Sequence, residues 1–317
     1  MTDREYLQSL LDRAGRVVIP AKNPATGKSV YVIDEALVVR SHSRILVDSC
    51  TIRLADGVYS NIFTTPGAWD EASPPRTVDV ILEGRGSATL DGGSPNGLTE
   101  RTAGRDGLPP VRRNTLVLFR NLDAFRVSGL HILNPRYWGM TFYYAAHGEI
   151  TDIRFTAANN VPNQDGIDLR IGCHDIAIRD ITGSTGDDSV ALTALRCRGD
   201  LAFAVPGESM DVYAVTIEHI HTEVTGGHGI VRLLCHDGVK MHDITVRDVY
   251  DRLIDTRRTR CQAAVRIGDV NYWAERPAKA EEMYGITVDG VTTNAPVAVK
   301  QAADYPRLTV ENVTLVP

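Results

Sequence analysis

Three aspartates between residues 165 and 188 have the side-chain type and spacing that acid–base chemistry needs. A short apolar strand at 167–171 follows Asp165, and a second strand at 176–181 leads to the pair Asp187 and Asp188. If these strands belong to a stacked repeat, neighbouring parallel strands lie about 4.8 Å apart, which brings the three carboxyl groups onto one surface. Like charges that close are costly to hold ionised, so the cluster is a candidate functional site.

Carboxyl groups that face each other across a cleft supply a general acid and a general base, as hydrolysis of a glycosidic bond requires. Repulsion between Asp187 and Asp188 would help one of them keep its proton, and a nearby histidine could share that proton. In a site that inverts the sugar, the two carboxyl groups are typically about 6.5–9.5 Å apart, with the attacking water between them.

The composition sets the broad class of protein. The chain has 317 residues, 43% hydrophobic and 23% charged, and its net charge of −6 gives no basic field for nucleic acid. The charged N-terminus and the lack of a long apolar run predict neither a signal peptide nor a membrane segment, so we expect a cytoplasmic protein. Five cysteines without paired spacing argue against a secreted disulfide framework.

An internal repeat determines the expected fold. The pattern apolar-x-apolar-x-x-apolar begins at Phe125, Ile176, Val215, Ile244, Ile286 and Leu308, with a degenerate copy at Ile150–Ile153. A second type of short strand lies between these copies and begins at Gly139, Gly166, Ser189, Gly229, Ala264 and Val297. Each unit is too small to bury its own apolar side, so the units must stack into a solenoid.

This pattern predicts an all-β fold, a right-handed parallel β-helix that forms one domain over 1–317. An amphipathic helix at 3–14, with Gly15 as its C-cap, would cover the open first coil. A β-sandwich also has many short strands, but it does not explain why the strand sequence repeats. Long insertions at 57–77, 91–114, 193–211, 250–263 and 269–283 are the expected loops, where binding is usually built.

Four motifs follow one another along the chain. They are Asn163-Gln164-Asp165-Gly166-Ile167-Asp168, Gly186-Asp187-Asp188, Gly227-His228-Gly229 and Arg266-Ile267, with Asn134-Pro135 and Trp138 ahead of them. Together they resemble glycoside hydrolase family 28, the polygalacturonase family of pectin-lyase-like β-helices. The similarity extends over about residues 115–270. The resemblance implies a glycoside hydrolase that acts on a carbohydrate partner and uses no metal or organic cofactor.

The resemblance also implies roles for the motif residues. Asp187 would be the general acid, while Asp165 and Asp188 would hold and deprotonate the water of a single, inverting displacement. His228 would form a hydrogen bond with the acid or tune its protonation. Arg266 would bind substrate beside the cleaved bond.

Further residues are candidates for substrate binding. Asn163 and Asp168 lie in the first motif, where Asp168 could support the catalytic carboxyls or be structural. Arg258 belongs to a basic stretch whose guanidinium groups could bind an acidic sugar. Trp138 and Tyr143 could stack on sugar rings, although a tyrosine that follows a strand also suits the core.

Two departures from the family pattern bear on the substrate. Gly268 stands where the family has a lysine that helps to bind a uronate carboxylate, so polygalacturonate itself is a doubtful substrate. The insertion at 193–211 would wall off one end of the groove, which favours action on chain ends or short oligosaccharides.

Other functions stay open at this point. A polysaccharide lyase of the same fold would use a basic residue, often with calcium bridging a uronate to acidic side chains. A non-catalytic carbohydrate-binding β-helix would use none of the proposed chemistry. His174 and His236, in two Cys-His-Asp tripeptides, could be metal ligands or residues that stack at equivalent turns.

Overall fold

The computed structural model describes residues 1–13, 15–69, 72–256, 259–268, 276 and 278–317. Within these residues, 21 strands pair in parallel and wind into coils. The predicted right-handed parallel β-helix is confirmed.

The strands, in chain order, are β1 Gly15–Ile19, β2 Val30–Ile33, β3 Leu37–Val38, β4 Ser43–Asp48, β5 Thr51–Leu54, β6 Phe63–Thr64, β7 Thr77–Arg85, β8 Thr89–Asp91, β9 Val117–Ser128, β10 His131–Leu133, β11 Met140–Thr156, β12 Ile167–Leu169, β13 His174–Thr185, β14 Val190–Ala194, β15 Val212–Val224, β16 Val231–Cys235, β17 Met241–Asp251, β18 Ala263–Ile267, β19 Met283–Thr293, β20 Val297–Gln301 and β21 Leu308–Leu315.

The coils align these strands in three stacks. The first stack contains β1, β4, β7, β9, β11, β13, β15, β17, β19 and β21. The second contains β2, β5, β8 and β10 and continues through the ends of the longer strands from β11 onwards. The third contains β3, β6, the beginnings of β9 and β11, and then β12, β14, β16, β18 and β20.

The copies of the predicted repeat lie in the strands of the first stack, where they pair at equivalent positions. Its six copies align with one another, so that the first apolar residues form one row along the solenoid. In β11 this row holds Gly148, and Ile150 belongs to the next apolar row with Val127 and Ile178. A Cβ on Gly148 would lie 2.1 Å from the Phe125 ring, so that ring fills the missing side chain's place.

The N-terminal helix α1 runs from Asp3 to Leu11 and caps the first coil, as predicted. Leu7 and Leu11 are buried, while the Gln8 side chain bonds to both the N–H and the C=O of Val38. The helix thus pairs polar groups that the open edge of the first coil would leave exposed. Its end was predicted wrongly, because the C-cap is Asp12 and Gly15 already begins β1.

The described parts of the insertions carry little regular structure. A 3-10 turn at Val111–Asn114 ends the 91–114 insertion, the short helix α2 at Arg198–Leu201 lies in the 193–211 insertion, and a second 3-10 turn covers Arg252–Asp255. Among the described residues, no helix has the length and apolar character needed to cross a bilayer.

Candidate active site

The three aspartates lie where the chain enters two neighbouring strands of the third stack. Asp165 precedes β12, and Asp187 and Asp188 precede β14. Backbone bonds tie these two coils together, from Gly166 N to Asp188 O at 2.9 Å and from Asp187 N to Gln164 O at 3.2 Å. The repeat therefore places residues 22 and 23 positions apart in sequence on adjacent coils.

The next coil contributes His228 and Gly229, which precede β16. His228 Nδ1 lies 3.0 Å from Asp187 Oδ1, and Gly229 N donates to Asp188 Oδ1 at 2.7 Å. Asp187 Oδ1 also accepts the backbone N–H of Asp188 at 2.9 Å. These bonds fix the orientation of both carboxyl groups.

Two neighbouring spaces share Asp187 in their linings. An inner pocket is lined by all three aspartates together with Glu100, Arg112, Trp138, Asn163, Asp168, Arg170, Ala191, Thr193, Leu195, Cys197 and Arg232. Its cavity volume is about 50 Å³. An outer cleft is lined by Glu100, Arg101, Asn159, Pro162, Asn163, Gly186, Asp187, Gly226 and His228, and its cavity volume is about 550 Å³. Ligand pockets typically enclose about 300–1,000 Å³, so the outer cleft is of suitable size for a sugar residue.

Burial makes Asp165 and Asp188 hard to ionise. Burial, followed by the charges of Asp187, Asp168 and Asp188, raises the pKa of Asp165 well above its ordinary value. Burial and the charge of Asp187 likewise raise the pKa of Asp188, against the opposing charge of Arg232. Asp165 and Asp188 therefore hold protons at a pH where exposed aspartates have lost theirs.

At His228 a hydrogen bond to a carboxyl group outweighs the effect of burial. Its hydrogen bond to Asp187 raises the pKa of the imidazole, although burial opposes this shift. The imidazolium form thus persists to higher pH than in an exposed histidine. Asp187 and His228 together can therefore supply a proton at Asp187, which lines both the inner pocket and the outer cleft.

One register row of the third stack supports the site with charge. Asp168, Ala191, Arg232 and Arg266 occupy equivalent positions on β12, β14, β16 and β18. Arg232 Nη1 lies 3.5 Å from Asp188 Oδ2. Arg266 lies one coil further on, where its Cδ would be 3.2 Å from a Cβ on Gly229. It is therefore adjacent to the cluster but does not line the inner pocket or the outer cleft.

The other residues predicted to bind substrate differ in whether they reach the two spaces. Asn163 lines both spaces, and Trp138 lines the inner pocket while stacking on Tyr137 with ring centroids 4.5 Å apart. The prediction that Tyr143 stacks on a sugar ring is wrong, because its side chain is fully buried and its hydroxyl donates to Asp200. Arg258 lies outside the described residues.

Asp187, Asp188 and His228 also have the spacing of a metal site, with ligand atoms within 4.8 Å of one another. Asp187 Oδ1 and Asp188 Oδ1 already accept protein hydrogens, so an ion would compete with the bonds described above. Elsewhere, His174 stacks on Tyr213 with ring centroids 4.7 Å apart, whereas His236 is buried at the end of β16. The two Cys-His-Asp tripeptides therefore do not stack on each other.

Comparison with known proteins supports the motifs. Residues 80–230 match the sequence model of glycosyl hydrolases family 28. The predicted resemblance to family 28 is confirmed over these residues. An exopolygalacturonase of Arabidopsis thaliana is 33% identical over 85 residues, which cover 27% of this chain and 19% of the relative.

Solved structures of low sequence identity share the fold. The endo-xylogalacturonan hydrolase of Aspergillus tubingensis aligns with a TM-score of 0.58 at 17% identity, over 98% of this chain and 73% of its own. The family 28 exopolygalacturonase of Yersinia enterocolitica aligns with a TM-score of 0.60 at 14% identity, over 99% of this chain and 68% of its own. The chain spans less than half the length of the curated relatives that it matches.

The family motifs do not include Arg112 and Arg170, which line the inner pocket, or Asp200, which pairs with both. Asp200, from the 193–211 insertion, is fully buried and accepts from Arg170 Nη2 at 2.6 Å and Arg112 Nη2 at 2.9 Å. Burial alone would raise the pKa of Asp200, but Arg170 and Arg112 outweigh it and lower the pKa. Both guanidinium groups lie over the Trp138 ring, at 4.6 and 5.0 Å from its centroid.

Sequence reasoning missed Arg112, Arg170, Asp200 and Glu100, and it gave no role to Arg232. Alignment of the second strand type would have placed Arg232 beside Arg266, because Gly229-Ile-Val-Arg and Ala263-Ala-Val-Arg share a register. Arg170 follows Asp168 at the strand spacing that puts alternate side chains on one face. Asp200, Arg112 and Glu100 come from insertions, for which the repeat gives no position.

Proposed function

We propose that this protein is an inverting glycoside hydrolase that cleaves an oligo- or polysaccharide in which uronates can occur. The observation that carries the proposal is that Asp165, Asp187 and Asp188 line one pocket and that Asp187 also lines the neighbouring cleft. The names of the relatives, polygalacturonases and a xylogalacturonan hydrolase, suggest a pectic type of substrate.

In the proposed reaction, Asp187 donates a proton to the glycosidic oxygen. Because Asp187 lines both the inner pocket and the outer cleft, the leaving sugar can occupy the outer cleft. Asp165 and Asp188 hold the water, and whichever of the two is ionised takes its proton. One carboxyl oxygen of Asp187 and one of Asp188 lie within 4.8 Å of each other, which is closer than the usual inverting pair at about 6.5–9.5 Å. The proposal therefore places the water beside Asp165 and Asp188 and not between Asp187 and Asp188.

We further propose exo action or action on short oligosaccharides. Asp200 and Phe203 fasten the 193–211 insertion to the solenoid, since Arg120 donates to the backbone oxygens of Phe203 and Ala204 at 2.9 Å. Thr193, Leu195 and Cys197 from this segment line the inner pocket. A wall held by buried ion pairs would stop a chain from passing through the pocket.

A screen of plant and bacterial oligosaccharides with the wild type and Asp187→Asn tests the proposed function. We expect release of sugar by the wild type alone, without absorbance from a new double bond and without loss of activity on adding a chelator. Ultraviolet-absorbing products would indicate the lyase. Binding without turnover, unchanged in Asp187→Asn, would indicate a carbohydrate-binding protein.

A further inference from the structure

Two histidines and an aspartate form a cluster on the first stack, outside the candidate active site. His147 belongs to β11, and His174 and Asp175 begin β13 on the next coil. One ring nitrogen or carboxyl oxygen of each residue lies within 4.8 Å of those of the other two. Two imidazoles and a carboxylate are ligands that divalent transition metals such as zinc bind in proteins.

The His147 ring is held by an aspartate from the preceding coil. Its Nδ1 lies 2.6 Å from Asp123 Oδ1, and Arg76 Nη2 lies 2.8 Å from Asp123 Oδ2. Burial would raise the pKa of Asp123, but the hydrogen bond from His147 and the charge of Arg76 outweigh it and lower the pKa. An ionised carboxylate accepts the hydrogen on Nδ1, which leaves Nε2 of the neutral ring for an ion.

The His174 ring is held by a hydrogen bond and by stacking. Its Nδ1 lies 2.7 Å from Asp175 Oδ2, and its plane stacks on the Tyr213 ring with centroids 4.7 Å apart. The His147 ring meets the His174 ring at 85°, with centroids 5.7 Å apart. Within the part of the chain that the structure describes, Nε2 of neither histidine makes a hydrogen bond. Two oriented imidazoles thus each keep one nitrogen for a ligand.

The cluster is open to an ion from solvent. His147, His174 and Asp175 keep 59%, 26% and 45% of their side-chain surface exposed. Zinc holds nitrogen and oxygen ligands at about 2.0–2.2 Å, so the ligand atoms of a tetrahedral site lie roughly 3.3 Å apart. Rotation of the exposed His147 and Asp175 side chains can close the distance that remains, and water supplies the fourth ligand.

A similar pair on the same face lacks the second histidine. His242 Nδ1 lies 2.8 Å from Asp243 Oδ2, and the His242 ring stacks on the same tyrosine as His174 does. In register, Ala214 holds beside His242 the place that His147 holds beside His174. His242 therefore matches His174 in its hydrogen bond and its stacking, but not in a neighbouring imidazole.

We propose that His147, His174 and Asp175 bind a divalent transition-metal ion of the zinc type, which joins the coils of β11 and β13. Asp123 is a positioning residue that holds the His147 ring for the ion. The proposal goes beyond the hydrolysis proposed above and does not depend on it, because the site lies in the first stack and the three catalytic candidates precede strands of the third. A ligand that binds the folded chain alone stabilises it, so the ion should raise the melting temperature.

The test titrates the full chain with Zn²⁺ at neutral pH by calorimetry, after treatment with a chelator and dialysis. We expect saturable binding by the wild type. Asp123→Asn should weaken it about tenfold, since residues that orient a ligating histidine have effects of about 10–100-fold, and His147→Asn and His174→Asn should weaken it at least as much. His242→Asn is the matched control and should bind Zn²⁺ like the wild type. Excess Mg²⁺ should not displace Zn²⁺, because Mg²⁺ prefers oxygen ligands.

The outcomes distinguish this site from the candidate active site, where His228 belongs to another set with metal-ligand spacing. Zinc binding that persists in His147→Asn and His174→Asn but is lost in His228→Gln would overturn the proposal. Equal weakening by His242→Asn would also overturn it, as would a wild type that binds no Zn²⁺. As a second readout, Zn²⁺ should raise the melting temperatures of the wild type and His242→Asn and leave that of His147→Asn unchanged. Failure of these expectations would leave the proposed hydrolase function standing.

Discussion

Two columns of side chains run along this solenoid, and they differ in what surrounds them. In the first stack, His174, Tyr213, His242 and Tyr284 share one register row, with ring centroids 4.7–5.1 Å apart and planes within 5° of parallel. In the third stack the row of Asp168, Ala191, Arg232 and Arg266 lies beside the carboxyl cluster. Parallel stacking produces both columns by the same geometry.

The difference between the columns is burial. His174 and His242 keep 26% and 21% of their side-chain surface exposed, and each lies beside an exposed aspartate, Asp175 or Asp243. The third-stack cluster is covered by the 91–114 and 193–211 insertions, and its aspartates are at most 6% exposed. Register alone thus places His174, Tyr213, His242 and Tyr284 in a row at the surface, which we call the aromatic ladder. Register together with burial raises the pKa of Asp165 and Asp188. The predictions below test this distinction.

The largest effect is expected at the general acid. Asp187→Asn keeps the shape of the side chain but removes the transferable proton, so kcat/KM should fall about 10²–10⁴-fold. The matched change in the aromatic ladder, His242→Asn, should leave kcat/KM within about twofold, because surface changes of this kind shift energies by only about 0.5 kcal/mol. Steady-state kinetics on one substrate measure both, and an active Asp187→Asn enzyme would contradict the assignment.

A comparable effect on stability is expected at Asp200. Asp200→Ala leaves Arg112 and Arg170 buried without their shared carboxylate, which should lower the free energy of unfolding by about 3–5 kcal/mol. Asp243→Ala, at the exposed ladder, should change it by no more than about 0.5 kcal/mol. Denaturant unfolding of the two variants side by side gives the comparison, and equal losses would show that burial does not separate the two columns.

His228 should set the alkaline side of the activity profile. Its pKa is raised by Asp187, so the imidazolium is present at low pH and is lost as the pH rises through that raised value. We expect wild-type kcat/KM to fall across this range. His228→Gln should have a lower plateau without the same fall, and a profile identical to the wild type would separate His228 from the proton of the site.

The pH dependence of stability should reveal the buried cluster. The raised pKa of Asp165 means that proton binding stabilises the folded state below about pH 3.9, the ordinary aspartate pKa, and that this contribution disappears as the pH rises through the folded-state value. Asp165→Asn needs no ionisation, so it should gain stability relative to the wild type as the pH rises from 4 to 8. Each unit by which the folded-state pKa of Asp165 is raised corresponds to a gain of about 1.4 kcal/mol.

Asp175→Asn, at the exposed ladder, is the control for this pH series. Melting temperatures of the wild type and both variants across the same buffers give the measurement. Parallel curves for the wild type and Asp165→Asn would contradict the burial argument.

The sequence predicted the coils better than it predicted the walls of the site. The apolar rows that begin at Ile176, Val215 and Ile244 set the register, and this register brought Asp165 and the Asp187–Asp188 pair onto adjacent coils. Periodicity could do this because each coil repeats the same contacts with its neighbour.

The insertions follow no such rule. Asp200 reaches Arg112 across 88 positions, and Glu100 reaches Tyr137 across 37. Such contacts depend on how one loop packs against another, for which a single sequence holds no periodic signal. Tyr143 was predicted wrongly for the same reason, since Asp200 and the ring of Phe203, stacked at 4.5 Å, cover it.

The most direct test of the central claim follows the anomer of the sugar at the moment of release. With the best substrate from the oligosaccharide screen, early NMR spectra should show the configuration opposite to that of the cleaved bond, since water held by Asp165 and Asp188 attacks the face away from the leaving oxygen. Asp187→Asn should show no early product. Release with the original configuration would contradict the account, because it would require one of these aspartates to form a covalent bond to the sugar.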